Sequence, residues 1–250
     1  MPLLAQKVLV STCGVSGAGI CAAVGLVPGP DVSATIHPLS LGAAQGRKPL
    51  FTTLPSDTPV FAINIASADG AAPELSIIVV NTLPSPDKDN VLAHELLSLL
   101  PPNAEVWVAT SVQLIYDRKV DSPATPFSVE AVMYGAMQLP DSLSGVGTLP
   151  DTARIQDGFL AALLHFIHAM HVPCCCLIIP DHSTPNAAAD TAPQARREHA
   201  TKLAEALNIV FQPVLKFAPE KMPLEEKVSL VGVHSQSVRQ DSGGGDVMYM

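Results

Sequence analysis

Short runs that are apolar at nearly every position recur along this chain: residues 59–66 (PVFAINIA), 74–81 (ELSIIVVN), 105–112 (EVWVATSV) and 172–179 (VPCCCLII). A strand with one face in water alternates apolar and polar residues. A strand covered on both faces does not, and reads as a continuous apolar run. Stretches with helical spacing lie between these runs. The alternation predicts an α/β domain: a three-layer sandwich in which helices cover both faces of a mixed, largely buried sheet.

The remaining elements fit around that frame. Residues 6–12 (QKVLVST) read as an opening strand. Gly14, Gly17 and Gly19 then lead into a small-residue helix over about 18–26. Residues 28–59 are rich in Pro, Gly, Ser and Thr and read as loops with one short strand. Pro86-Asp87 opens a helix that runs to about Leu100 and stops at Pro101-Pro102. Residues 117–150 read as loop with a short helix near 128–137. The strongest helix is expected from a cap at Asp151 or Thr152 to about Met170, with the stripe Ile155, Phe159, Leu163, Phe166, Ile167 and Met170. Residues 193–207 read as a charged helix, and 209–217 and 227–234 as further strands. The domain is expected over 1–235, followed by a flexible tail over 236–250.

Charge and cysteine usage narrow the function classes. The formal charge is -9, and the longest basic cluster is Arg196-Arg197. Phosphate neutralisation on nucleic acid is therefore not expected, and neither is attraction to an anionic membrane. Lys7 interrupts the first apolar run, which argues against a secretory signal. No apolar stretch is long enough for a membrane-spanning helix. Cys13, Cys21 and the run Cys174-Cys175-Cys176 suit small buried residues better than disulfides, because adjacent strand residues point to opposite faces. Reduced thiols place the chain in the cytosol, with the nucleus as a second location.

Each candidate catalytic or ligand site reads more simply as structure. Gly14-Val15-Ser16-Gly17-Ala18-Gly19 follows a strand and opens a helix, where phosphate loops sit, but the order departs from G-x-G-x-x-G and lacks a P-loop lysine. A phosphate site in this turn is the alternative that would make the chain an enzyme. His165, His168 and His171 lie three apart and drift around a helix, so a metal site with the cysteines is not expected. Asp87-x-Asp89 and Glu225-Glu226 read as solvated surface charge, and Asp181-His182-Ser183 as a turn. No catalytic residue, cofactor or metal is expected.

The tail carries the most specific signal. Gly243-Gly244-Gly245-Asp246 leads into Val247-Met248-Tyr249-Met250. An apolar side chain, a phenol and a terminal carboxylate within one short reach suit capture by a pocket on another protein. Fifteen residues of coil would span roughly 20 Å on average. Upstream, residues 151–181 (DTARIQDGFLAALLHFIHAMHVPCCCLIIPD) give a long helix, a break at Val172-Pro173 and an apolar strand. Val108-Ala109-Thr110-Ser111 leads through Tyr116-Asp117 to Thr125-Pro126-Phe127-Ser128 and a small helix ending near Ala131. This succession, over roughly residues 100–185, resembles the proteasome assembly chaperone 1 family, one half of a heterodimeric chaperone pair. Met248-Tyr249-Met250 matches the hydrophobic–tyrosine–any ending (HbYX motif) that members of the pair carry. The resemblance implies a fold similar to the nucleoside phosphorylases without their catalytic residues. It also implies a heterodimer with a second proteasome assembly chaperone, resting on proteasome α-subunits at the outer face of the 20S α-ring and promoting ordered assembly.

Overall fold

The computed structural model describes residues 3–14, 16–29, 31–52, 54–67, 70, 72–82, 85, 87–112, 114–116, 129–135, 137–149, 153–155, 157–180, 192–211 and 215–219. The centre is an eight-stranded mixed sheet with the order β3-β4-β5-β1-β6-β11-β8-β9. Its strands are β1 (Lys7–Thr12), β3 (Val32–Pro38), β4 (Val60–Ser67), β5 (Leu75–Val80), β6 (Glu105–Val112), β8 (Glu130–Tyr134), β9 (Gly147–Thr148) and β11 (Cys174–Pro180). β5, β1, β6 and β11 run parallel, with Lys7 opposite Leu75 and Glu105, and Cys174 opposite Val106. β4 pairs antiparallel with β5 and β3, and β8 antiparallel with β11. Among the described residues two small antiparallel pairs stand beside it: β7 (Leu114–Tyr116) with β10 (Ala153–Ile155), and β2 (Leu26–Pro28) with β12 (Leu215–Phe217).

Strand pleating sorts the uniform runs onto two cores. Leu9, Trp107, Ala109, Cys175, Leu177 and Ile179 face one layer, which holds α1 (Ala18–Val24) and α4 (Ala192–Phe211). Val8, Val10, Val106, Val108, Cys174 and Cys176 face the other, which holds α2 (Asp89–Ser98) and α3 (Gly158–Ala169). Both faces are dry, so both sets of alternate residues are apolar. The expected three-layer α/β sandwich is the observed fold. Among the described residues no helix is long and apolar enough to cross a membrane.

Several local expectations are corrected. Residues 130–134 are not helical but form β8, held by pairing of Glu130 with Ile178 and Tyr134 with Cys174. That ladder overrides the helix-forming tendency of Glu-Ala-Val-Met. Residues 32–38, expected mostly as loop, form a full seven-residue strand against β4. The strong helix does not begin near residue 151. Ile155 belongs to β10, and α3 starts at Gly158 with Asp157 as its cap, its side chain accepting from Leu160 N at 2.9 Å. Met170, assigned to the apolar stripe, is half exposed just beyond that helix. α2 is shorter than expected at both ends. α1 stops at Val24, with Gly25 N–H donating to Cys21 O. α4 continues through Phe211, so residues 209–211 are helix and only Leu215–Phe217 is strand. The possible strand at 227–234 lies outside the described residues.

The last described residues are fastened to the body. Asn208 clasps Phe217 in both directions: Phe217 N–H donates to Asn208 Oδ1 at 2.7 Å, and Asn208 Nδ2 donates to Phe217 O at 3.0 Å. Ala218 N–H then donates to Gly25 O at 2.5 Å.

Candidate functional site

In open α/β sheets, ligands gather beyond the carboxyl ends of the strands, where successive connections leave to opposite faces. Here β1 feeds α1 on one face and β5 feeds α2 on the other. Two polar groups lie at that edge.

The first is the glycine turn after β1. A Cβ on Gly14, whose φ is +49, would stand 1.9 Å from Ser111 O and 2.8 Å from Thr110 Oγ1. A Cβ on Gly19 would stand 2.3 Å from Ala109 O and 2.8 Å from Thr12 O. The glycines therefore admit the backbone of β6 close against the turn and α1. Ser16 Oγ donates to Ser111 Oγ at 2.7 Å, and Ser16 O accepts from Arg196 Nε at 2.6 Å. The guanidinium lies 5.6 Å from the centre of the Phe51 ring, a cation–π distance. Thr12 Oγ1 and Thr110 Oγ1 share a hydrogen bond of 2.7 Å. These contacts lock the turn, and Ser16 is a tie between layers.

The second group was missed at the sequence level. Asp89, read there as solvated charge, is only 4% exposed. It lines a small cleft with Thr12, Cys13, Arg47, Thr82, Asp157 and Phe159. Asp89 Oδ1 accepts from Ser85 N at 2.8 Å, and its Oδ2 lies 3.2 Å from where a Cβ on Gly158 would stand. Burial, chiefly, and then the nearby Asp157 carboxylate push Asp89 up from 3.8 to about 6, while the Ser85 hydrogen bond and Arg47 oppose the rise. Cys13 donates to Thr82 O at 3.3 Å, and burial followed by Asp157 raises its thiol far above the ordinary value. A thiol held protonated is a poor nucleophile. The one signal for this pair was Asp157-Gly158, a helix-capping dipeptide.

The raised carboxyl of Asp89 has a stability consequence. The folded protein holds this proton more tightly than the unfolded chain, so the contribution of Asp89 is greatest below pH 3.8 and is lost as pH rises through about 6. Asp89→Asn keeps an oxygen for Ser85 N and removes the titration. We expect this variant to be more stable than wild type at pH 7, with a flatter stability profile between pH 4 and 6. Urea unfolding across that range checks it, and an unchanged slope would contradict the assignment.

The histidines and cysteines do not converge. His165, His168 and His171 are exposed, and His168 instead makes an edge contact with Tyr134 at 5.9 Å between ring centroids. Cys174, Cys175 and Cys176 are fully buried in β11, with burial pushing the Cys175 thiol up to about 12. Among the described residues no grouping of three His, Cys, Asp or Glu side chains could hold a metal ion. Asp181-His182-Ser183, Glu225-Glu226 and the tail residues Met248, Tyr249 and Met250 lie outside the described residues.

No protein-family model matches the sequence, and no curated protein matches it. Solved structures do share its fold. A protein of unknown function from Thermoplasma acidophilum is 14% identical, with 95% of this chain and 84% of that chain covered and a TM-score of 0.50. An archaeal homolog of proteasome-assembly chaperone from Pyrococcus furiosus is 15% identical, with 96% and 92% covered and a TM-score of 0.49. An MTA/SAH nucleosidase is 10% identical, with 84% of this chain and 97% of that chain covered and a TM-score of 0.43. At these identities the likeness is one of fold.

Proposed function

We propose that this chain is a proteasome assembly chaperone without catalytic activity of its own. It pairs with a second chaperone of the same fold. Its body rests on the outer face of the 20S α-ring while Met248, Tyr249 and Met250 enter a pocket between α-subunits. The observation that carries this reading is the sequence of residues 243–250, a glycine run followed by an apolar residue, a tyrosine and Met250. The proposal includes a free carboxylate on Met250, paired with a basic group in the pocket. The order of sequence features over residues 100–185 supports it.

Such a chaperone works by occupancy. A body that covers part of the α-ring blocks premature partners from that face, and an inserted tail fixes its position. Tyrosine is well suited to the pocket, because its ring buries apolar area and its hydroxyl keeps a hydrogen bond. Two modest attachments on one molecule reinforce each other through effective concentration.

Co-purification from cells tests the reading. The full chain should bring down a second chaperone and proteasome α-subunits together. Recovery of neither would overturn it. Phosphate-dependent release of base from nucleosides, lost in Ser16→Ala, would establish the enzyme reading instead.

A further inference from the structure

We propose that β3 pairs edge to edge with β3 of a second copy of this chain, antiparallel and centred on Thr35. This does not rest on the function proposed above. Among the described residues β3 ends the sheet and has β4 on one side only. Its residues are Val32-Ser33-Ala34-Thr35-Ile36-His37-Pro38, with Ser33, Ala34, Thr35 and Ile36 all exposed and Ile36 41% so. Exposed edges are usually protected by lysine, proline, a bulge or shortness. This one is seven residues long, carries no lysine or arginine, and reaches a proline only at its last position.

The backbone fixes which groups are on offer. Leu39 N–H donates to Val60 O at 3.0 Å. Antiparallel ladders alternate. Leu39, His37, Thr35 and Ser33 therefore turn their N–H and C=O groups toward β4, and Ala34 and Ile36 turn theirs outward. At one end of the edge, Val32 N–H is already bonded to Gly29 O at 3.2 Å. At the other, Pro38 has no N–H. Among the described residues no acceptor meets the outward N–H of Ala34 or Ile36.

A second copy is the occupant because this edge is complementary to itself. With Thr35 opposite Thr35 of the second copy, Ala34 faces Ile36. Each donates to the carbonyl of the other, and two-fold symmetry repeats the exchange. The same register places Val32 opposite Pro38, so the two positions with no donor to give meet one another and no amide is stranded. Thr35 against Thr35 is a favourable cross-strand pair, and Ser33 falls opposite His37. No like charges meet within this register, although each chain carries a net charge of -9. The result is an isologous dimer with one continuous sheet.

Residue-resolved amide exchange on the full chain tests the proposal. At high protein concentration the amides of Ala34 and Ile36 should be protected. On dilution they should exchange quickly, while Ser33, Thr35 and His37 stay protected by β4. In sedimentation velocity, Ile36→Lys and Ala34→Pro should each weaken self-association by at least about tenfold. Ile209→Lys, on the exposed face of α4, should leave it unchanged. Ile36→Lys alters a side chain that is already partly exposed and whose lysine stem can follow the same surface, so circular dichroism should report the wild-type fold and the test survives if Ala34→Pro does not fold. A chain monomeric at every concentration would overturn the proposal. So would a dimer indifferent to Ile36→Lys, or one in which the Ala34 and Ile36 amides exchange freely.

Discussion

Deleting Met248–Met250 should leave the melting temperature of the body unchanged and weaken capture of proteasome α-subunits by about tenfold to a hundredfold. Full enclosure of Met248 contributes about 1.5–3 kcal/mol. The Tyr249 ring adds area and a hydroxyl contact. A carboxylate paired inside a pocket exceeds the roughly 0–1 kcal/mol median of an exposed ion pair. Against these stands the ordering of rotamer-rich side chains, about 0.5–1.5 kcal/mol each. The surplus is a few kcal/mol, which gives the range stated. Equilibrium binding of the full and truncated chains to isolated α-subunits checks it. Amidating Met250 separates the terms: loss with the amide assigns the effect to the carboxylate, and loss only on deletion assigns it to the side chains. Equal affinity of the full and truncated chains would mean that the body alone makes the attachment, and the proposed function would lose its central observation.

The sheet was legible in the sequence because two dry faces leave a plain mark: β5 and β11 are apolar at almost every position. Most of α3 was legible too, since Phe159, Leu163 and Ile167 recur at helical spacing and are buried. The misread elements depend on partners far along the chain. β8 becomes a strand because Cys174–Ile178 lies beside it, not because Glu130–Tyr134 prefers one. β3 sits in a stretch rich in proline and glycine, and its identity comes from β4. β10 is three residues held by β7. The cleft was hidden for the same reason. Asp89 and Asp157 are the starts of two helices on one face, and only the fold brings them within electrostatic reach. The glycine turn was legible as a turn. That its glycines are contact points with β6 required the packing of α1.

Those contact points set the other large effect. Gly14→Ala should destabilise the fold by about 3–5 kcal/mol, a severe loss for a domain whose total stability is on the order of 5–15 kcal/mol. Part of the cost is conformational: φ of +49 is a left-handed backbone, unfavourable by roughly 1–2 kcal/mol for alanine. The larger part is steric. The new methyl would stand 1.9 Å from Ser111 O, a backbone atom of β6 that cannot rotate away. Moving it disturbs the register of Ser111 with Ile179 on β11 and the bond between Thr12 and Thr110. Overpacking of this kind typically costs about 1–3 kcal/mol and more where the neighbour is rigid. Gly46→Ala is the matched control. Its φ is +77, but nothing lies within 4 Å of the added carbon, so only the conformational share, about 1–2 kcal/mol, should appear. Urea unfolding midpoints of the two variants compare them directly. The gap between the two variants measures the steric share set by Ser111 O.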